Sequence, residues 1–154
     1  MERLVQLLDT KLQSKSETEI DTAKILQNKK VIGIYFSGHY CPPCRQFTPV
    51  LAEVYNKIKD KHDDFEIIFV SSDNTEDHFN LYYDFMPWLA LPYSRRDIKT
   101  SLCDQFGVKT IPTLVFLNGE GKLLETQGRS FVVEHAADPS LIRQTLVSCE
   151  GTEM

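Results

Sequence analysis

The sequence predicts an α/β protein, a central mixed β-sheet flanked by helices on both faces. Three observations carry that expectation. Residues 31–36 (Val-Ile-Gly-Ile-Tyr-Phe) and 66–70 (Glu-Ile-Ile-Phe-Val) are almost wholly apolar, as strands buried on both faces are. Between them Phe47, Val50, Leu51, Val54, Tyr55 and Ile58 recur at helical spacing and define one apolar helix face. Residues 113–117, the Asn118-Gly119 turn signal and residues 122–126 read as a β-hairpin. The sheet is therefore expected to be parallel in the middle and antiparallel at one edge.

The remaining elements follow in order. The first 28 residues read as a short polar helix and a connecting segment, with residues 18–21 (Thr-Glu-Ile-Asp) as a short edge strand. Pro49 lies inside the first long helix and removes one of its backbone bonds. Asp73 or Asn74 is the expected cap of a helix carrying Phe79, Tyr82 and Tyr83. Residues 97–106 form a further helix that stops at Gly107, and Asp138-Pro139 opens the last one. No repeat, low-complexity tract or linker divides the chain, so one domain is expected over residues 1–154.

Composition narrows the function. Apolar residues make up 42% and charged residues 25%, the balance of an ordinary globular protein. The net charge is −5 and the basic residues are scattered, which argues against a nucleic-acid surface. The first apolar run, Leu4-Val5, is broken by Gln6, and nothing approaches the roughly 18 apolar residues of a membrane span. A cytoplasmic protein, with the nucleus as a second compartment, and a monomer are expected. Four cysteines, at 41, 44, 103 and 149, are too few and too unevenly spaced for a disulfide framework.

The chemistry concentrates at Cys41-Pro42-Pro43-Cys44, where a buried strand ends and a helix begins. Two intervening residues let both sulfurs face one side of the first turn, close enough for a disulfide. Cys41 would sit at the helix N-terminus, where unpaired amides favour a thiolate, and Cys44 would be the resolving thiol. Pro42 and Pro43 stiffen the loop and have no amide to donate. The alternatives are half a zinc site and two structural cysteines. Zinc needs a second ligand pair, and none follows at useful spacing. Cys103, beside Leu102, reads as a buried small hydrophobe, and Cys149 lies near a polar tail; neither is expected to be catalytic.

Residues 31–48 resemble the active-site segment of tryparedoxins and nucleoredoxins of the thioredoxin superfamily, which share Cys-Pro-Pro-Cys-Arg followed by Phe-Thr-Pro. Residues 86–93 (Met-Pro-Trp-Leu-Ala-Leu-Pro-Tyr) and Ile111-Pro112-Thr113-Leu114 fit the same group. The resemblance spans roughly residues 30–130. It implies a thioredoxin-like fold and a thiol–disulfide oxidoreductase that reduces protein disulfides, with peroxiredoxins as usual clients and a small dithiol or a reductase as electron donor. It implies no bound cofactor, because the two sulfurs are the redox centre, and a cis Ile111–Pro112 bond beside them whose backbone pairs with the client. Ordinary thioredoxins carry a buried Asp six residues before the first cysteine, where this chain has Tyr35, and Tyr40 replaces the usual Trp.

The resemblance leaves several roles open. Asp73 matches an acidic position linked to proton transfer, beside its reading as a helix cap. Arg129 aligns with an arginine linked to binding an anionic dithiol, beside its reading as a solvated hairpin end. His39 either favours the Cys41 thiolate or is a solvated loop histidine, and Trp88 reads as a core anchor. The rival function is a nucleoredoxin-like binding module for signalling partners, with the cysteines as its redox switch.

Overall fold

The computed structural model describes residues 1–154. Helix α1 (Glu2–Leu8) buries Leu4, Leu7 and Leu8. Strands β1 (Lys11–Leu12) and β2 (Ile20–Asp21) then pair antiparallel as a separate ribbon, Lys11 opposite Asp21. The expected edge strand is thus only two residues long and does not enter the main sheet. Its partner β1 escaped notice because two residues cannot display a period. The ribbon docks through Gln13, which exchanges two 2.8 Å backbone bonds with Ala90. Helix α2 (Thr22–Ile25) completes this N-terminal layer.

Strand β3 (Val31–Ser37) is buried at all seven positions and leads through a short loop into α3 (Pro42–Lys59). The predicted apolar face of α3 packs inward at Phe47, Leu51, Val54, Tyr55 and Ile58, while Val50 is half-buried at its margin. Strand β4 (Phe65–Ser71) lies parallel to β3, from Val31 opposite Phe65 to Ser37 opposite Ser71. Helix α4 (Glu76–Tyr83) is capped by Thr75, whose hydroxyl accepts the His78 amide at 3.2 Å. Neither Asp73 nor Asn74 caps it, because Asp73 is drawn into other bonds at the end of β4.

Strand β5 (Leu89–Ala90) adds a short parallel edge to β4. Helix α5 (Arg96–Phe106) starts one residue before the expected position and ends at Gly107, whose φ of 64° favours glycine. Strand β6 (Thr113–Leu117) pairs antiparallel with β3, and β7 (Leu123–Glu125) pairs antiparallel with β6 across an irregular register. The hairpin partner is therefore shorter at both ends than expected. Helix α6 (Gly128–His135) was not anticipated, whereas α7 (Pro139–Ser148) begins as read, with the Asp138 carboxylate accepting the Leu141 amide at 3.1 Å.

The main sheet has the order β5-β4-β3-β6-β7. Alternation along β3 sends Val31 and Tyr35 to one face and Ile32, Ile34 and Phe36 to the other. The first face holds the aromatic core beneath α3, α4, α6 and α7, with Trp88 buried in it as expected. The second is mainly aliphatic, with Phe36 packed on Phe106, and is covered by α1 and α5.

Helix α6 approaches the sheet through Gly128, where a Cβ atom would stand 2.5 Å from the Leu114 carbonyl oxygen. Only glycine fits there without displacing the helix start. Gly128→Ala should therefore cost about 1–3 kcal/mol through overpacking. Urea unfolding followed by circular dichroism reads this as a lowered midpoint, and an unchanged midpoint would contradict the close approach.

Candidate active site

The site is built where β3 delivers the chain to α3. Cys41 is the helix cap, and its sulfur accepts the Cys44 amide at 3.3 Å. Pro42 and Pro43 fill the first two helical positions without amides, so Cys44 supplies the first amide of the turn that can serve. The proline rings themselves are exposed. Cys41 keeps 8% exposure while Cys44 has none. Burial, and next its bond to Cys41, push the Cys44 thiol up to about 11. One sulfur faces the surface, and the other is held as a buried thiol behind it.

The Ile111–Pro112 bond is cis, as the motif implied. The Cys41 thiol points at the Ile111 carbonyl, 3.7 Å away, which sets this loop directly beside the outer sulfur. Pro112 is buried and Ile111 half-buried. Tyr40 is 61% exposed and its ring, with the Ile111 side chain, closes over Gly38. Partial burial first, then the negative charge of Cys41, raise the Tyr40 phenol above its ordinary value.

Asp73 is buried and acts as a tie. One carboxylate oxygen accepts the His39 amide at 2.8 Å, and the other accepts the Ser71 hydroxyl at 2.8 Å. It therefore fastens the loop before Cys41 to the end of β4. The His39 ring packs on α4, 5.6 Å from the Tyr82 ring and 6.3 Å from that of His78. Arg129 is exposed in the first turn of α6, not at a hairpin end, and shares an open cavity of about 360 Å3 with Pro112, Thr113 and Leu114.

Cys103 is only half-buried, because Leu102 takes the inward position of α5; its partial burial still raises the thiol. Cys149 is exposed and its thiol donates to the Leu124 carbonyl at 3.6 Å. No group of three or more His, Cys, Asp or Glu side chains is arranged to hold a metal ion.

One feature of the site went unforeseen, a cluster of buried hydroxyls behind Cys44. Thr48 lies one turn after Cys44 and donates to its carbonyl at 3.0 Å. The Thr48 hydroxyl is 2.7 Å from that of Tyr35 and 2.6 Å from that of Tyr82, and Ser37 lies 2.8 Å from Tyr82. All four residues are buried. The available signal was Tyr35 itself, a polar atom within an apolar strand that burial obliges to find a partner.

Comparison with known proteins agrees with this construction. A sequence profile described as Thioredoxin-like matches residues 28–123. The tryparedoxin of Trypanosoma brucei brucei is 46% identical over 106 residues, 68% of this chain and 73% of that protein. The nucleoredoxin of Danio rerio is 47% identical over 108 residues, 70% of this chain but 25% of its own length, so the match spans about a quarter of that relative. A structure of tryparedoxin II in complex with glutathionylspermidine superposes with a TM-score of 0.81 at 34% identity, covering 90% of this chain and 94% of that one. The chain belongs to the thioredoxin-like family of redox proteins. Within it, the chain falls in the branch that holds the tryparedoxins and nucleoredoxins.

The asymmetry between the sulfurs has a signature in stability. A folded value for Cys44 of about 11, above the ordinary 9.0, means that its thiol stabilises the fold fully below about pH 9. That contribution is lost as pH climbs towards 11. The reduced protein should lose stability over this window more steeply than Cys44→Ala does, as read by denaturant midpoints across pH. Equal slopes would contradict the burial of this thiol.

Proposed function

We propose that the protein is a dithiol–disulfide oxidoreductase that reduces disulfides of protein clients, with Cys41 attacking and Cys44 resolving. The observation that carries this reading is the unequal placement of two sulfurs joined by the Cys44 amide at 3.3 Å. The Cys41 thiolate, whose sulfur accepts that amide at the start of α3, attacks one sulfur of the client disulfide. The other client sulfur leaves with the electron pair of the broken bond. Cys44 then attacks the Cys41 sulfur, the second client thiol departs, and the protein keeps an intramolecular disulfide. Two electrons have passed to the client, and an external thiol reductant returns them.

The cis loop supports this assignment, since the Ile111 carbonyl beside Cys41 marks where an extended client backbone would lie. Tyr40 and the exposed Pro42 and Pro43 form the rim that such a segment would cross. Peroxiredoxin-type proteins are the proposed clients. The donor is proposed to be a small glutathione-type thiol, as the complex of tryparedoxin II with glutathionylspermidine suggests. Arg129, unpaired at the cavity beside Pro112, would meet a carboxylate of that donor. A reducing compartment, cytosol or nucleus, is the setting in which the dithiol form persists. No helix is long and apolar enough to cross a membrane.

Cys41→Ser should reduce turnover on an oxidised peroxiredoxin to background, while Cys44→Ser should accumulate a mixed disulfide on Cys41. Mass spectrometry of the trapped species decides the roles, and adducts found mainly at position 44 would reverse them. A client retained undiminished by the double serine variant would favour a binding module instead. Arg129→Ala should raise KM for glutathionylspermidine about two- to fivefold, the range of an exposed charge pair, with kcat unchanged. An unchanged KM would remove Arg129 from the donor site.

A further inference from the structure

Helix α3 buries one face in the aromatic core and turns another towards α4. Along that second face runs an open groove of about 830 Å3, the volume of a ligand site. Pro49 and Ala52 of α3 line it with small apolar groups, and Phe85, just beyond α4, adds a ring. Phe85 is 73% exposed, the highest value among the large apolar side chains. Polar side chains rim this apolar surface, the arrangement that marks a binding groove on a protein exterior.

The groove adjoins the cysteines. His39, just before the Tyr40–Cys41 step, lines it, and so does Arg45, the residue after Cys44. The lining follows α3 from Arg45 in its first turn to Lys57 in its last, about 18 Å along the helix axis. That length fits roughly five or six residues of extended chain. A trough so long, open to solvent and leading away from the redox pair, suits a peptide segment better than a compact small molecule. Its charges are uneven. Lys57 pairs with Glu53 at 3.1 Å, whereas the exposed Arg45 makes no ion pair. The groove therefore sets two full cations against one carboxylate in a chain whose net charge is −5. The unpaired cation stands at the end where α3 begins, beside the cysteines.

We propose that the groove between α3 and α4 is a second docking site for the client, which receives an acidic residue beside the client cysteine at Arg45 and apolar side chains farther along at Pro49, Ala52 and Phe85. The proposal rests on the exchange reading above and names the flanking sequence that reading leaves open. The cis-proline loop meets the client at the Ile111 carbonyl, and the groove meets it on the side of Cys41 that faces α4. The chemistry at the two sulfurs is unchanged. The groove selects which disulfides reach them, favouring cysteines in acidic, apolar segments over those in basic or wholly polar ones.

The test uses a reduced parent carrying Cys103→Ala and Cys149→Ser, and peptides whose single cysteine is activated as a mixed disulfide with thionitrobenzoate. Reduction releases the coloured thiolate. Each rate is divided by that of dithiothreitol on the same peptide, which removes the peptide's own reactivity. The first peptide flanks its cysteine on both sides with Asp and then Phe and Leu. A second has Lys in place of Asp, and a third keeps Asp but has Ser in place of Phe and Leu. The parent should prefer the first peptide to the Lys peptide about three- to fivefold, the range of an exposed charge pair. It should prefer the first to the Ser peptide about fivefold or more, as an apolar anchor at an interface gives. Phe85→Ser should abolish the apolar preference and leave the rate on the Ser peptide unchanged, and Arg45→Glu should reverse the charge preference. Both side chains are exposed, so neither change opens the core. An apolar preference that survives Phe85→Ser, or a charge preference that survives Arg45→Glu, would overturn the docking site. Sedimentation that shows a parent dimer dissolved by Phe85→Ser would give the groove to a second copy of the chain and overturn it equally. A parent that reduces all three peptides alike would overturn the docking site alone, whereas one that reduces none would overturn the exchange reading itself.

Discussion

Cys41 caps α3 with its sulfur, and the amide that reaches that sulfur belongs to the other cysteine of the pair. The rest of the architecture can be understood as what keeps this bond in place. Strand β3, paired on both sides along its length, fixes where the loop begins. The apolar face of α3, pressed onto the aromatic core, fixes where the helix axis runs. Two prolines remove the amides that would otherwise compete for the cap, leaving a short, stiff link between a strand end and a helix start. Pairing, packing and the absence of two donors converge on a geometry set by a single hydrogen bond.

That geometry divides the labour between two chemically identical groups. The outer sulfur borders solvent and the cis-proline loop, whereas the inner one has burial on every side. Burial holds the inner sulfur as a thiol, and behind its residue the core places a cluster of hydroxyls instead of charges, with Thr48 bonded to the Cys44 carbonyl. A carboxylate in the same place would itself require solvation in a core built from Tyr35, Phe47, Phe69 and Trp88. Hydroxyls can be buried there at lower desolvation cost, because they are neutral and can either donate or accept.

Much of this was legible in the residues. Long buried strands and an amphipathic helix announce themselves through period, and the Cys-Pro-Pro-Cys and Ile-Pro-Thr segments marked the two loops that the fold brings together across 70 positions. What escaped was of two kinds. Elements of two residues, such as β1 and β5, carry no period and exist through pairing with a neighbour, β1 with β2 and β5 with β4. Helix α6 was hidden because its start, Gly128-Arg129-Ser130, looks like a turn, and tertiary packing against Leu114 overrides that preference. Asp73 was misread as a cap for a related reason. Its carboxylate had a better partner in the His39 amide, which no local pattern reveals.

The seating of Gly128 on the Leu114 carbonyl has an implication for how such a site can diversify. Strand β6 carries the cis-proline loop at one end and supports the start of α6 at Leu114, so the backbone at position 129 is indexed to the same strand as Pro112. On the proposed reading of Arg129, relatives built on this plan can exchange the side chain at 129, and with it the chemistry offered to a reductant, without moving the cis-proline loop. Moving that side chain bodily would require breaking the seat. On that reading, specificity for the electron donor is open to single substitutions, while the offset between position 129 and the cis-proline loop is inherited unchanged with the fold.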